Sequence, residues 1–229
     1  MERRLRPHNM DFSPLIISLK TAATAIFFTF FLGLACAVLT AKIKNNYLKM
    51  TLDGIFTLPL VLPPTVAGFF LLWIFGIEGP IGAFFLEYFA VKIAFSWGAT
   101  VLAAVVISFP LMYRAARGAL EQIDPVYADA ARTLGMSEWR ILLRVILPQA
   151  MPGIAGGSVL AFARGLGEFG ATAMIAGNIA HKTRTLPLAI YSEVAAGNFD
   201  TALRYVIIIM IFSFFIVALI NSVSGKKQT

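Results

Sequence analysis

The chain has very little charge for its length. Of its 229 residues 14% are charged and 59% are hydrophobic, and the mean hydropathy is +0.80. A water-soluble domain carries about 25% charged residues, so this composition excludes a soluble globular protein. The apolar residues fall in blocks of roughly 20, the length that a helix needs to cross about 30 Å of hydrocarbon. Alternating strands of a membrane barrel are not visible. We therefore predict an all-α integral membrane protein.

Cysteine and histidine are also scarce. The one cysteine, Cys36, lies inside the first apolar block, where it can form no intrachain disulfide and is expected to pack against lipid or a helix. The two histidines are far apart in the sequence, so no metal site is expected. A membrane-embedded enzyme would need paired carboxylates, a histidine cluster or a nucleophile with a base, and the apolar blocks offer only Glu168.

The apolar blocks predict five membrane spans. They run near 15–41, 54–75, 93–113, 150–177 and 203–223, with a loop at 114–149, an N-terminal segment 1–14 and a tail 224–229. Ten of the 19 basic residues then lie on the loop side and six on the other side. Basic residues concentrate in the cytoplasm, which favours an N-terminus outside and a cytoplasmic loop, although the basic N-terminus argues the other way. No small-residue cleavage site follows the first block, so an uncleaved span is favoured over a signal peptide.

Two of the predicted spans are irregular. Pro59, Pro63 and Pro64 interrupt the second, and because lipid cannot satisfy the freed carbonyls, this segment is expected to be bent and buried against helices or a water-lined path. The fourth span holds seven glycines between Gly153 and Gly177. Such glycines allow close helix packing, and a mobile gate is the alternative.

The stretch YADAARTLGMSEWRILLRVILP places charged residues between two apolar blocks. Asp124 and Pro125 predict the start of a short helix, and Gly135 predicts its left-handed end. Ser137 is expected to cap a second helix that ends near Pro148. The loop is therefore predicted to be two helices joined by a sharp turn.

The first of these helices has a face of small and apolar residues. Val126, Ala130 and Leu134 recur every four residues, and Tyr127 and Ala131 widen the face. The arginines at positions 132, 140 and 144 are suited either to carboxylates on a partner or to holding the loop at the lipid surface. Spacing alone leaves partner docking and interfacial anchoring open.

The same stretch resembles a family signature. Membrane subunits of binding-protein-dependent ABC importers carry E-A-A, three residues, Gly, nine residues and I-x-L-P; here Asp129-Ala130-Ala131, Gly135 and Val145-Ile146-Leu147-Pro148 keep that spacing. The resemblance implies a coupling helix that docks on a separate ATPase. The implied contact residues are Asp129, Ala130, Ala131, Arg132, Leu134 and Gly135. No Walker A motif is present, so ATP and Mg²⁺ are expected on the partner, with no cofactor bound by this chain.

Further segments resemble the molybdate permease branch of that family, among them LPLVLPPTVAGFFLL, LAFARGLGEFGAT and KTRTLPLAIY. This implies a type I importer permease of the bacterial cytoplasmic membrane that works as a homodimer with two ATPase subunits and an extracytoplasmic oxyanion-binding protein. A permease for tungstate, sulfate or thiosulfate is the alternative within the family. An ungated channel would have no use for a docking loop, and the charge pattern does not favour nucleic acid.

A transported oxyanion needs donors and positive potential, bound weakly enough for release. The candidate pathway or gate residues are Pro64, Thr65, Ser108, Ser158, Arg164 and Glu168. Because Arg164 and Glu168 are four residues apart on one helix, a structural ion pair is the alternative to an anion site there. Lys182 and Arg184 are candidates for docking the binding protein, with an ordinary solvated loop as the alternative.

Overall fold

The computed structural model describes residues 11–225, with side chains described as far as Ala218, and every regular element in that range is helical. The predicted segment 1–14 and tail 224–229 therefore lie largely outside the described residues. The elements are α1 (Ser13–Lys42), α2 (Asn46–Val61), α3 (Pro64–Phe75), α4 (Pro80–Phe89), α5 (Trp97–Glu121), α6 (Pro125–Thr133), α7 (Glu138–Ile141), a π-helical turn (Leu142–Ile146), α8 (Leu147–Leu166), α9 (Gly170–Ile175), α10 (Leu186–Ala195) and α11 (Phe199–Gly225).

Four of these helical segments are long and apolar enough to cross a membrane. They are α1, α5, the continuous helix Glu138–Leu166 and the part of α11 from Phe199 to Ala218. The pair α2 and α3 meets the same length and hydropathy criteria only when taken together and is bent by 109°, so the described residues hold four candidate spans, or five if the bent pair is one span. The bend falls at Leu62, whose backbone is extended, because a residue before proline avoids the helical region. The predictions of an all-helical protein with about five spans and of a bend in the second span are confirmed.

Hydroxyl pairs join α1 to α5 in the interior. Thr21 Oγ1 lies 2.9 Å from Thr100 Oγ1 and Thr29 Oγ1 lies 3.1 Å from Ser108 Oγ, and all four residues are buried. Hydrogen bonds between small polar side chains hold membrane helices together where the hydrophobic effect cannot. Ser108, predicted as a pathway residue, therefore belongs to the packing of α5 against α1.

The glycines of α8 bring that helix close to α5. A Cβ on Gly153 would lie 2.8 Å from Ala119 Cβ, and a Cβ on Gly157 would collide with Ala115. Only glycine permits this separation of the two backbones. The predicted close approach at Gly153 and Gly157 is confirmed.

Helix boundaries differ from the predictions in three places. The third span is α5, Trp97–Glu121, where 93–113 was predicted. The fourth was predicted at 150–177, but its helix ends at Leu166 and α9 is separate. The second helix of the loop does not end near Pro148, because α7, the π-helical turn and α8 form one helix. The π turn ends at Ile146, two residues before Pro148, and it includes Arg144, whose carbonyl the proline ring would meet in a regular α-helix. The segment between α5 and the continuous helix Glu138–Leu166 is therefore shorter than the predicted loop 114–149.

Candidate functional site: the α6 loop and the broken spans

The start of α6 is fixed by a side-chain cap. The Asp124 carboxylate accepts a hydrogen bond of 2.9 Å from the backbone N–H of Val126, and Pro125 occupies the first helical position. Both features were predicted, because a free N–H at a helix start favours a nearby carboxylate. Ser137 stands at the N-cap position of α7, but its side chain makes no capping hydrogen bond. The predicted serine cap is wrong in that respect.

The end of α6 is a Schellman turn around Gly135. The Gly135 N–H donates to the Arg132 carbonyl at 2.9 Å, and the Met136 N–H donates to the Ala131 carbonyl at 3.1 Å. Gly135 has φ +74°, which side chains other than glycine rarely adopt. The predicted left-handed stop at Gly135 is confirmed, and it turns the chain from α6 into α7.

One face of α6 packs against the helix that follows. Ala128 and Ala131 are buried, at 9% and 5% exposure, against the fully buried Ile141. Ala131 therefore lies on the inner face, and the prediction that it widens an exposed face is wrong. Its small side chain instead lets α6 lie close to the helix Glu138–Leu166, so the two form one packed unit.

The opposite face of α6 is open and largely apolar. Val126, Tyr127 and Leu134 are 65%, 53% and 81% exposed, and Asp129 and Ala130 are also exposed. We call these five residues the α6 outer face. Exposed apolar residues grouped outside the spans are typical of a docking surface.

A charged clamp crosses the Gly135 turn. Arg132 Nε and Nη2 contact the two Glu138 carboxylate oxygens at 2.7 and 3.1 Å, and Nη1 contacts Asp129 Oδ1 at 2.6 Å. The fork geometry of the guanidinium suits this bidentate contact. Hydrogen bonds to Glu138 and then Asp129 raise the pKa of Arg132, so the clamp stays charged. Glu138 was not among the predicted site residues. The sequence did place its carboxylate directly after the N-cap candidate Ser137, close enough to pair with Arg132 across the Gly135 turn.

The second predicted span is interrupted between α2 and α3, and the fourth between α8 and α9. These two breaks lie against each other. A Cβ on Gly170 of α9 would lie 3.0 Å from Pro64 Cβ and 3.2 Å from the Thr65 backbone N, and a Cβ on Gly68 would lie 2.6 Å from Ala171 Cα. The start of α3 and the start of α9 are therefore in close contact. Thr65 is exposed beside that contact, at the place where both helices are interrupted.

Arg164 and Glu168 form the predicted ion pair at the break between α8 and α9. Arg164 Nη1 lies 2.8 Å from Glu168 Oε2, and the Ala171 N–H donates to Glu168 Oε1 at 2.8 Å. The Glu168 side chain is 2% exposed and that of Arg164 is 31% exposed. Both carboxylate oxygens are thus satisfied, and the pair holds the start of α9 to the end of α8.

The remaining predicted residues lie apart from these breaks. Ser158 is half-buried and donates to the Ile154 carbonyl at 2.8 Å. Lys182 is exposed, and Arg184 Nε donates to Asn178 Oδ1 at 2.9 Å. Within residues 11–225 no group of three or more His, Cys, Asp and Glu side chains is arranged to hold a metal ion.

The two ends of the molecule are clearly distinguished by contacts of α1. At its start, Asp11 lies 3.9 Å from His181 and its carbonyl accepts a 2.8 Å hydrogen bond from the Tyr205 hydroxyl. At its end, the Lys42 ammonium lies 5.8 Å from the ring centre of Trp139. The turn containing Lys182 and Arg184 is therefore at the opposite end from the α6 loop.

Known proteins resemble this chain along almost its whole length. A family model described as binding-protein-dependent transport system inner membrane component matches residues 17–226. The molybdenum transport system permease protein ModB of Haemophilus influenzae is 40% identical over 220 residues, 96% of each chain. The protein of the same name from Escherichia coli strain K12 is 44% identical over 199 residues, 86% of each chain. The sulfate transport system permease protein CysT of that strain is 32% identical over 210 residues, 92% of this chain and 75% of its own.

Solved structures show the same fold at lower sequence identity. The MetNI methionine ABC transporter aligns with a TM-score of 0.66 at 19% identity, covering 92% of this chain and 94% of the other. A bacterial ABC transporter that imports alginate aligns with a TM-score of 0.73 at 16% identity, covering 95% and 80%. The helical architecture is that of importer membrane chains, as the signature around Gly135 implied. The chain belongs to the family of binding-protein-dependent transport system inner membrane components.

Proposed function

We propose that this chain is the permease subunit of an ATP-driven importer that moves molybdate across the cytoplasmic membrane, while a separate subunit hydrolyses ATP. The substrate assignment is supported by the molybdenum permeases that are 40% and 44% identical over most of both chains. The observation that carries the coupling role is the α6 outer face, exposed and apolar on a helix whose inner face is buried against the helix Glu138–Leu166.

The coupling mechanism follows from that packing. The ATPase cleft receives the α6 outer face, and Asp129 and Arg132 meet charges at its rim. Because α6 is capped, stopped at Gly135 and clamped through Glu138, a push on α6 moves the helix Glu138–Leu166 without being absorbed in the loop. That helix continues through the membrane, so closure of two ATPases tilts the spans.

The pathway lies between two copies of the chain in this proposal. Within the described residues α2 buries no side chain, and Ile55 and Val61 are 57% and 80% exposed. This apolar surface beside the 109° bend is available to a second copy. The oxyanion passes Thr65 and the contact between the two breaks, where the paired Glu168 leaves little free negative charge to repel it.

The proposed orientation places the α6 loop in the cytoplasm and the start of α1 outside. Lys182 and Arg184 then face the oxyanion-binding protein, whose acidic groups they are suited to meet. Because the two regions lie at opposite ends of α1, a cytoplasmic α6 loop places Lys182 and Arg184 outside.

The decisive experiment is reconstitution of the permease with its ATPase and binding protein in liposomes. We expect ATP hydrolysis and uptake to be stimulated by molybdate-loaded binding protein, and a complex without binding protein is the control. The second candidate, a sulfate permease, is favoured by the 32% identity to CysT; stimulation by sulfate alone would establish it and refute the molybdate assignment. A purified permease that conducts ions without an ATPase would refute the importer role itself.

A further inference from the structure

Two cavities adjoin at the α6 end of the spans. One, of about 570 Å³, lies between α2 and α5 and is lined by the charged residues Asp53, Arg114, Arg117 and Glu121. The other, of about 580 Å³, lies between α5 and α8 and is lined by the amide side chains of residues 122 and 149. Arg114 lines both cavities, so a single arginine stands where the two spaces join.

The other charged groups at the first cavity are paired with one another. Arg117 pairs with Asp53, which also accepts from the Tyr113 hydroxyl. Arg117 Nε contacts Glu121 Oε1 at 3.0 Å, and Lys49 Nζ contacts the same oxygen at 3.1 Å. Three positive and two negative side chains, counting Arg114, leave a net charge of +1.

Arg114 supplies that surplus charge. It is exposed, and within the described residues it has no carboxylate oxygen inside 4.0 Å. The nearby carboxylates of Asp53 and Glu121 are paired with Arg117 and Lys49, so neither forms an ion pair with the Arg114 guanidinium. A free guanidinium with its fork of donors suits an anion with several oxygens.

We propose that Arg114 binds the tetrahedral oxyanion at the cytoplasmic end of the pathway, from which the ion is released into solvent. This inference rests on the proposed import function and adds a release site to it. A net charge of +1 opposite a dianion gives attraction without the tight binding that would prevent release. The wall leaves room for the ion, since nothing lies within 4 Å of a Cβ placed on Gly118 or Gly156. The Gln122 amide adds a donor at the second cavity, and Gln149 keeps one N–H beyond the one that Nε2 donates to the Val145 carbonyl.

The test compares Arg114→Gln with Arg114→Lys in the complete reconstituted complex. Loss of a charge-assisted contact is expected to lower the rate of molybdate uptake about tenfold in Arg114→Gln, and Arg114→Lys is expected to recover part of it. Lys44→Gln is the matched control, because it removes an exposed positive charge at the same end that lines neither cavity. Co-purification of the ATPase shows that each variant is assembled.

The outcomes separate this inference from the proposed function. If the unaltered complex imports no oxyanion, the proposed function fails. If it imports molybdate and Arg114→Gln imports it equally fast, only the release site is refuted. A phospholipid headgroup offers the same oxyanion chemistry, so native mass spectrometry of the complex counts bound lipid. Loss of one phospholipid in Arg114→Gln but not in Lys44→Gln, with unchanged uptake, would assign Arg114 to lipid and overturn the proposal.

Discussion

The α6 loop and the broken second span are held in opposite ways. In the loop, Ala131 packs on Ile141 ten residues away, and Asp124 and Gly135 fix the helix ends through local hydrogen bonds. In the second span, α2 buries no side chain and its ionic contacts are with α5, through Asp53 and Lys49. The loop is therefore a rigid unit in itself. The broken span depends on distant partners, which suits a part of the molecule that rearranges.

The strongest way to break this contrast is Gly135→Pro. Proline fixes φ near −65° and lacks the N–H that Gly135 donates to Arg132, so the turn should lose about 3 kcal/mol or more. We expect uptake to fall to background while the spans still insert and ATP hydrolysis becomes independent of substrate. The measurement is uptake and hydrolysis in the same vesicles.

Gly197→Pro is the matched control for that change. Gly197 also has a positive φ, +79°, and its N–H donates to the Val194 carbonyl at 3.0 Å, but it lies in the turn after α10. The same backbone damage there is expected to leave ATP hydrolysis dependent on substrate. Uncoupling by both variants alike would show that turn strain in general, and not the α6 loop, is responsible.

A second change tests the membrane side of the comparison. Glu168→Gln removes the buried carboxylate partner of the half-buried Arg164 and should lower the free energy of unfolding of the permease by about 2 kcal/mol. Thermal unfolding of the purified complex measures this. The double variant Arg164→Gln/Glu168→Gln should recover part of the loss, and equal destabilisation in both variants would argue against the pair.

Leu134→Ser tests the α6 outer face itself. Leu134 is 81% exposed in the isolated chain, so the change should not affect folding, but burial against a partner would be lost. We expect the ATPase to bind about tenfold more weakly. Tyr47→Ser is the control, since Tyr47 is 82% exposed at the same end. Equal affinities for Leu134→Ser and the unaltered chain would remove Leu134 from the interface.

The smallest expected effect is that of Arg132→Lys. Lysine keeps the charge and loses the fork that holds both Glu138 oxygens. Because the clamp is exposed, coupled uptake should fall only about twofold. Arg132→Gln should behave similarly if geometry matters; a much larger loss in Arg132→Gln would show that charge at the ATPase rim is the dominant factor.

Local features of the loop were predictable because their causes are local. Asp124, Pro125 and Gly135 act on backbone groups within a few residues, and the structure has each as expected. The bend in the second span was predictable for the same reason, since prolines restrict the adjoining backbone. The ion pair of Arg164 and Glu168 was expected from their spacing on one helix, but α8 ends at Leu166 and the pair forms across that end.

Other features depend on contacts that the local pattern does not contain. Ala131 is buried because the helix after Gly135 returns along α6, which decides which side of an alanine-rich helix faces inward. The buried role of Ser108 depends on Thr29, 79 residues away. The continuation of the helix past Pro148 depends on a π turn that accommodates the ring, and no simple residue pattern indicated it.

The central claim, that the α6 outer face docks on an ATPase, is tested most directly by cross-linking. In a Cys36→Ser background, Ala130→Cys is labelled with a photoactivatable benzophenone maleimide and irradiated in the assembled complex, and Ala196→Cys, exposed at the opposite end, is treated in parallel. We predict a cross-linked product with the ATPase from position 130 and none from position 196. No product from position 130 in a complex that still couples ATP hydrolysis to uptake would contradict the account.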